Sequence, residues 1–98
     1  MVLDEEMRGI LEKVIDHTIS KIPKIVDMAR TVSAIRELQI KNPDDFVLGL
    51  AWGDIIRAFS ERFALKRSGV PSEEETGEIS NIVMKRTKEI KEAIFKCG

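Results

Sequence analysis

The chain has no tyrosine, one histidine, one cysteine, three prolines and only three side-chain amides, Gln39, Asn42 and Asn81. Each scarcity removes a class of function. Five aromatics, four Phe and one Trp, give no row of stacking platforms for single-stranded nucleic acid. A lone Cys97 cannot form an intrachain disulfide and fits a reducing compartment. His17 has no Glu-x-x-His spacing around it, so a carboxylate-bridged di-iron site lacks its parts; the histidine reads as an ordinary surface residue. Charge of neither sign dominates, with a net of −1, which argues against a polybasic nucleic-acid protein or an acidic tail. The longest uncharged apolar run, Phe46 to Gly53, is far too short to cross a bilayer. No cationic opening followed by an apolar run marks a signal peptide, and cytoplasm is the expected location. There is no phosphate-binding glycine loop, no serine nucleophile motif and no zinc ligand set, and no cofactor is expected. Few amides beside abundant Lys, Glu and Ile is the composition of thermophile proteins and has an archaeal look.

What is there is helix. Hydrophobic residues make up 43% and charged residues 34% of 98 residues, enough for a single folded domain, 1–98. Apolar residues at Leu3, Met7, Ile10, Leu11, Val14, Ile15, Ile19 and Ile22 recur every three or four positions and predict a helix over about 4–22. Asp4 is its cap, and Glu5 and Glu6 complement the helix dipole. Pro23 then breaks or kinks the chain. A second helix is expected over about 24–38, with Ile25, Val26, Ala29, Val32 and Ser33 on one face. Asn42 and Pro43 are a cap and first-position pair that opens a third helix, about 43–68, stopped by Gly69. Ser72 and Glu75 form a capping box that opens a fourth, about 72–96, with a buried stripe of Ile79, Ile82, Val83, Ile90, Ala93 and Ile94. The fold class is all-α, an antiparallel bundle of four helices with helix three at its centre; the first two helices are possible halves of one Pro23-kinked rod.

Helix three carries the oddest local choice. Gly49 and Gly53 lie four apart in its most apolar stretch, and glycine costs about 0.5–1 kcal/mol relative to alanine in a helix interior. A neighbouring backbone passing close by is the expected compensation. Leu48, Trp52, Ile55, Ile56, Phe59 and Phe63 form one bulky face beside small Gly49, Gly53, Ser60 and Ala64. A helix apolar over so much of its circumference is covered on more than one side, and long helices in a small chain are well buried by a second copy. Gly49, Gly53, Leu50, Trp52 and Phe59 are therefore the expected packing or interface residues of a homodimer, and Gly53→Leu is expected to break it or to unfold the chain.

Glu73, Glu74, Glu75 and Glu78 are the rival site. Glu74-Glu75-Thr76-Gly77-Glu78 resembles the first half of the metal motif of MazG-type nucleotide pyrophosphohydrolases, a resemblance that implies an all-α dimer holding Mg²⁺ against a triphosphate. That motif needs a second acidic pair one helix later, and no Glu-x-x-Asp follows Glu78. A capping box with dipole-complementing acids is the preferred reading of the cluster, leaving Glu74, Glu75 and Glu78 as weak metal candidates, completed across a dimer by Asp54 or Glu61. A third idea, a nucleic-acid accessory role, rests on Arg62, Lys66, Arg67, Lys85, Arg86, Lys88 and Lys91. The first three are expected to face Glu73 to Glu78 and be neutralised there. The leading expectation is a non-enzymatic helical interaction or structural protein, a homodimer with a possible protein partner and no membrane.

Overall fold

Pro23 decides the first turn of the architecture. In the computed structural model, which describes residues 3–31 and 41–97, α1 (Glu5–Ser20) ends just before Lys21 and α2 (Ile22–Thr31) begins just after it. The Lys21 N–H still reaches the carbonyls of His17 and Thr18, at 3.2 and 3.0 Å. Pro23 sits second in the new helix, where its missing N–H costs nothing. The expected break is thus a single-residue joint. The expected continuation of this helix to residue 38 falls beyond Thr31, and Val32 and Ser33 lie outside the described residues.

α3 (Pro43–Arg67) and α4 (Glu73–Lys96) follow. Their starts were legible because their caps are local chemistry. Asp4 Oδ1 accepts from the Met7 N–H at 2.8 Å and Asn42 Oδ1 from the Asp45 N–H at 3.2 Å. Ser72 and Glu75 form the full capping box, with the Ser72 N–H donating to Glu75 Oε1 at 2.8 Å and the Glu75 N–H to Ser72 Oγ at 3.1 Å. The stop of α3 lies one residue earlier than expected. Ser68, not Gly69, takes the left-handed conformation, at φ 56° and ψ 65°, and its N–H closes on the Ala64 carbonyl at 3.0 Å. Gly69 follows at φ 154°, a value that side chains rarely adopt.

The arrangement is an all-α bundle of four helices in which α3 touches all the others. α1 and α2 each pack on α3 and α4 and touch one another little, so they follow one another along one side of the body. Its extents, 41 × 24 × 19 Å, match a rod length of about 37 Å for the 25 residues of α3. Polar pairs fix the directions. Arg67 at the end of α3 binds Asp4, and Lys66 lies 3.5 Å from Glu6, so α1 and α3 are antiparallel. Glu78 accepts from the Leu3 N–H at 2.8 Å, and Arg86 lies 3.3 Å from Glu12 and 2.6 Å from Asp16, so α1 and α4 run the same way.

The core is drawn from every helix: Met7, Leu11 and Ile15 of α1, Ile22 and Val26 of α2, Ile55, Phe59 and Phe63 of α3, Val83, Ile90 and Ile94 of α4. On α3 the buried stripe is Val47, Ala51, Ile55, Phe59 and Phe63. That stripe is turned by about 50° from the expected bulky face, taking 100° per residue. Leu48 and Trp52 are half-buried at its edge, and Ile56 is exposed.

Candidate functional site

Of the acidic groups singled out as metal candidates, Glu75 and Glu78 are engaged in holding the fold, while Glu74, like its neighbour Glu73, is exposed and makes no ion pair among the described residues. Glu75 closes the capping box of α4. Glu78 binds the Leu3 N–H and lies 3.8 Å from Arg8. Asp54 is more deeply committed. Its Oδ2 accepts from the Thr18 hydroxyl at 2.8 Å and lies 3.0 Å from Lys21 Nζ, while Oδ1 takes Arg57 at 3.1 Å. Glu61 then binds Arg57 at 2.9 Å. Burial pushes the Asp54 carboxyl up, but the hydrogen bonds from Thr18, Lys21 and Arg57 outweigh it and hold the group below its ordinary 3.8. Among the described residues no three side chains of metal-ligating type converge.

Three of the seven basic candidates, Arg86, Lys66 and Arg67, behave likewise, while Arg62 makes no ion pair among the described residues. Arg86 is gripped by Glu89 at 2.8 Å as well as by Glu12 and Asp16. The Glu89 hydrogen bond, with the charges beside it, raises the guanidinium pKa further still. Lys66 and Arg67, expected to face the acidic start of α4, are instead neutralised by Glu6 and Asp4 of α1. The reason is the antiparallel pairing of α1 with α3, which sets the acidic first turn of one beside the basic last turn of the other. His17 is exposed, as the sequence implied. Cys97 is half-buried rather than fully exposed, and its thiol donates to the Ala93 carbonyl at 3.3 Å.

Of the expected interface residues, Phe59 is core, 1% exposed, and its ring centroid lies 6.1 Å from that of Phe63. Trp52 is half-buried, and its indole N–H donates to Thr87 Oγ1 at 3.2 Å, tying α3 to α4. Leu50, Gly49 and Gly53 point outward. Among the described residues none supplies the compensating backbone expected beside the glycines, since a β-carbon at either position would meet nothing of theirs within 4 Å. Alanine at Gly49 or Gly53 is therefore expected to stabilise the isolated chain by about 0.5–1 kcal/mol each. Thermal unfolding at low protein concentration reads this as a rise in Tm of about 4–8 °C per kcal/mol; a fall in Tm would place a neighbour against that face.

The described residues thus leave two outward faces uncovered. That of α3 carries Leu50 and Ile56 at 37% and 38% exposure around the glycines. That of α4 carries Met84 at 63% and Phe95 at 83%, with Lys85, Lys88, Lys91 and Lys96 between and beside them. None of these four lysines has an ion pair among the described residues, and the same holds for Lys13, Lys24, Lys41 and Arg62, whereas Lys21, Lys66, Arg57, Arg67 and Arg86 are paired. Beside Phe95 a cleft of about 300 Å³ opens between the start of α3 and the end of α4, lined by Asp44, Asp45, Leu48, Lys91 and Ile94. No helix among the described residues is long and apolar enough to cross a membrane. Sequence reasoning missed Phe95 as an exposed residue because it sits beside the expected buried pair Ala93 and Ile94.

Comparison with known proteins gives no family, no curated protein and no solved structure that matches this chain significantly.

Proposed function

We propose that this protein is a non-enzymatic helical interaction protein that works as a homodimer. The observation that supports this most is the contrast between its paired and unpaired surface. The acids of the rival metal site, Asp54, Glu75 and Glu78, bind hydroxyls, cations and backbone N–H groups within the fold. What stays exposed includes large apolar side chains, Met84 and Phe95 on α4 and Leu50, Ile56 and Leu65 on α3, besides Met28 on α2 and Val70 between α3 and α4. Exposed apolar side chains aligned along a helix mark contact surfaces better than scattered ones do.

Sedimentation equilibrium at rising protein concentration tests the reading. The expected result is a reversible shift from 11.1 kDa to twice that mass at micromolar concentration. A monomer at every concentration would overturn the homodimer. Micromolar binding of Mg²⁺ in a calorimetric titration would overturn the non-enzymatic half.

A further inference from the structure

We infer that two copies pair antiparallel through the outer faces of α4, about a two-fold axis passing beside Met84. The inference rests on the reading that the chain pairs with a second copy of itself, and it names the surface.

The outer line of α4 runs through Glu73, Gly77, Ser80, Met84, Lys88, Lys91 and Phe95. At 100° per residue all seven lie within about 40° of Met84 around the helix. All are exposed except half-buried Ser80. Their spacing is 4, 3, 4, 4, 3, 4, which reads the same from either end. Alternating steps of three and four are the spacing of helix-to-helix seams. Because the spacing is symmetric, an identical helix laid antiparallel meets this line position for position. Met84 then faces Met84, Ser80 faces Lys88, Gly77 faces Lys91, and Glu73 faces Phe95.

The chemistry of the two ends is complementary. The first turn carries Glu73 and Glu74, exposed and without an ion pair among the described residues, while the last two turns carry Lys88, Lys91 and Lys96. In the antiparallel arrangement Glu73 and Glu74 of one copy come within a helical turn of Lys91 and Lys96 of the other, which is the reach of a lysine stem. The acids at the basic end that Arg86 does not hold are Glu92 of α4 and, across the cleft beside Lys91 and Phe95, Asp44 and Asp45 of α3. Sizes complement as well. Phe95 is the largest protrusion on α4, and it falls on the partner's first turn, next to the space left by Gly77, where a β-carbon would meet nothing within 4 Å.

A two-fold interface must be self-complementary in this way, with each contact made twice. The helix dipole accounts for acids in a first turn and a base in a last one. It does not account for Lys88 and Lys91, two turns from the end, or for Met84 and Phe95 standing in water. On α3 the charges of the outer face, Asp54, Arg57 and Glu61, are satisfied within their own chain, so that face offers a copy no comparable match.

Two variants test the pairing. Lys91→Glu with Lys96→Glu makes both ends of the face acidic, and Glu73→Lys with Glu74→Lys makes both basic. Each alone is expected to weaken self-association by about tenfold or more, as like charges meet. Mixed in equal amounts the two are expected to form a heterodimer, in sedimentation, near the wild-type affinity. Circular dichroism confirms that each stays helical. In addition, Met84→Cys in a Cys97→Ser background is expected to form an interchain disulfide under mild oxidation, since the axis sets the two thiols side by side. If the charge variants dimerise as well as the wild type while Gly53→Leu is monomeric, the α4 surface is wrong and the homodimer stands on α3. If the wild type is monomeric throughout, both readings fall. If the mixture fails to pair although the wild type does, the charge register proposed here is wrong.

Discussion

Replacing Phe59 by alanine is expected to cost about 3–5 kcal/mol, the range for removing a fully buried phenylalanine. The side chain is 1% exposed and is among the largest fully buried side chains. It stands in the middle of the α3 stripe, between Ile55 and Phe63, both buried. Collapse around the hole is hindered, because α3 is packed on α1, α2 and α4 at once. A small domain has about 5–15 kcal/mol in all, so the loss is about a fifth of the total or more. Urea unfolding measures it as a fall in midpoint at nearly unchanged slope. Leu65→Ala is the control. That leucine lies on the same helix but is 87% exposed, and its change should stay within about 0.5 kcal/mol. Equal losses from the two substitutions would refute the assignment of inner and outer faces on α3.

Asp54→Ala is the second large effect. Thr18 is the one buried polar side chain among the described residues, 1% exposed, and its hydroxyl donates to Asp54. Truncating Asp54 strands that donor and leaves Lys21 without its partner. The expected cost is about 1–3 kcal/mol. Adding Thr18→Val should recover part of it, because removing both partners of a buried hydrogen bond is much cheaper than removing one. A loss below about 0.5 kcal/mol in Asp54→Ala would show that the network does not hold the joint between α1 and α2 to α3.

The same network sets a pH dependence. Asp54 is held below its ordinary 3.8 by its hydrogen bonds despite burial. Asp4 is lowered by the Met7 N–H and then by Arg67, and Glu89 is lowered from 4.5 by Arg86. A carboxylate held low in the fold stabilises it above the unfolded value, and that contribution is lost as pH falls through the folded value. Stability is therefore expected to be flat through neutrality and to decline below about pH 4. Asp54→Asn should flatten the acid limb of a plot of Tm against pH; an unchanged limb would mean that Asp54 carries no linked proton.

Much of this molecule is written locally in its sequence. Asp4, Asn42 and Ser72 start their helices with side-chain hydrogen bonds spanning only three residues, and Pro23 and Gly69 mark the breaks. Such signals need no knowledge of the rest of the chain. The stripes of α1 and α4 were legible too, because each has a polar face to contrast with an apolar one. On α3 that contrast is nearly absent, with apolar residues spread around its circumference. Periodicity could establish that the segment is helical and central, but not how far it is rotated. The rotation is decided by contacts 35 and 36 residues apart in sequence, Trp52 with Thr87 and Asp54 with Thr18. These turn Ile55 and Phe59 inward and leave Gly49 and Gly53 outside. Tertiary structure alone likewise assigned Arg67 to Asp4 and gave the lysines of α4 no ion pair among the described residues, because the partner of a long side chain depends on which helix lies beside it.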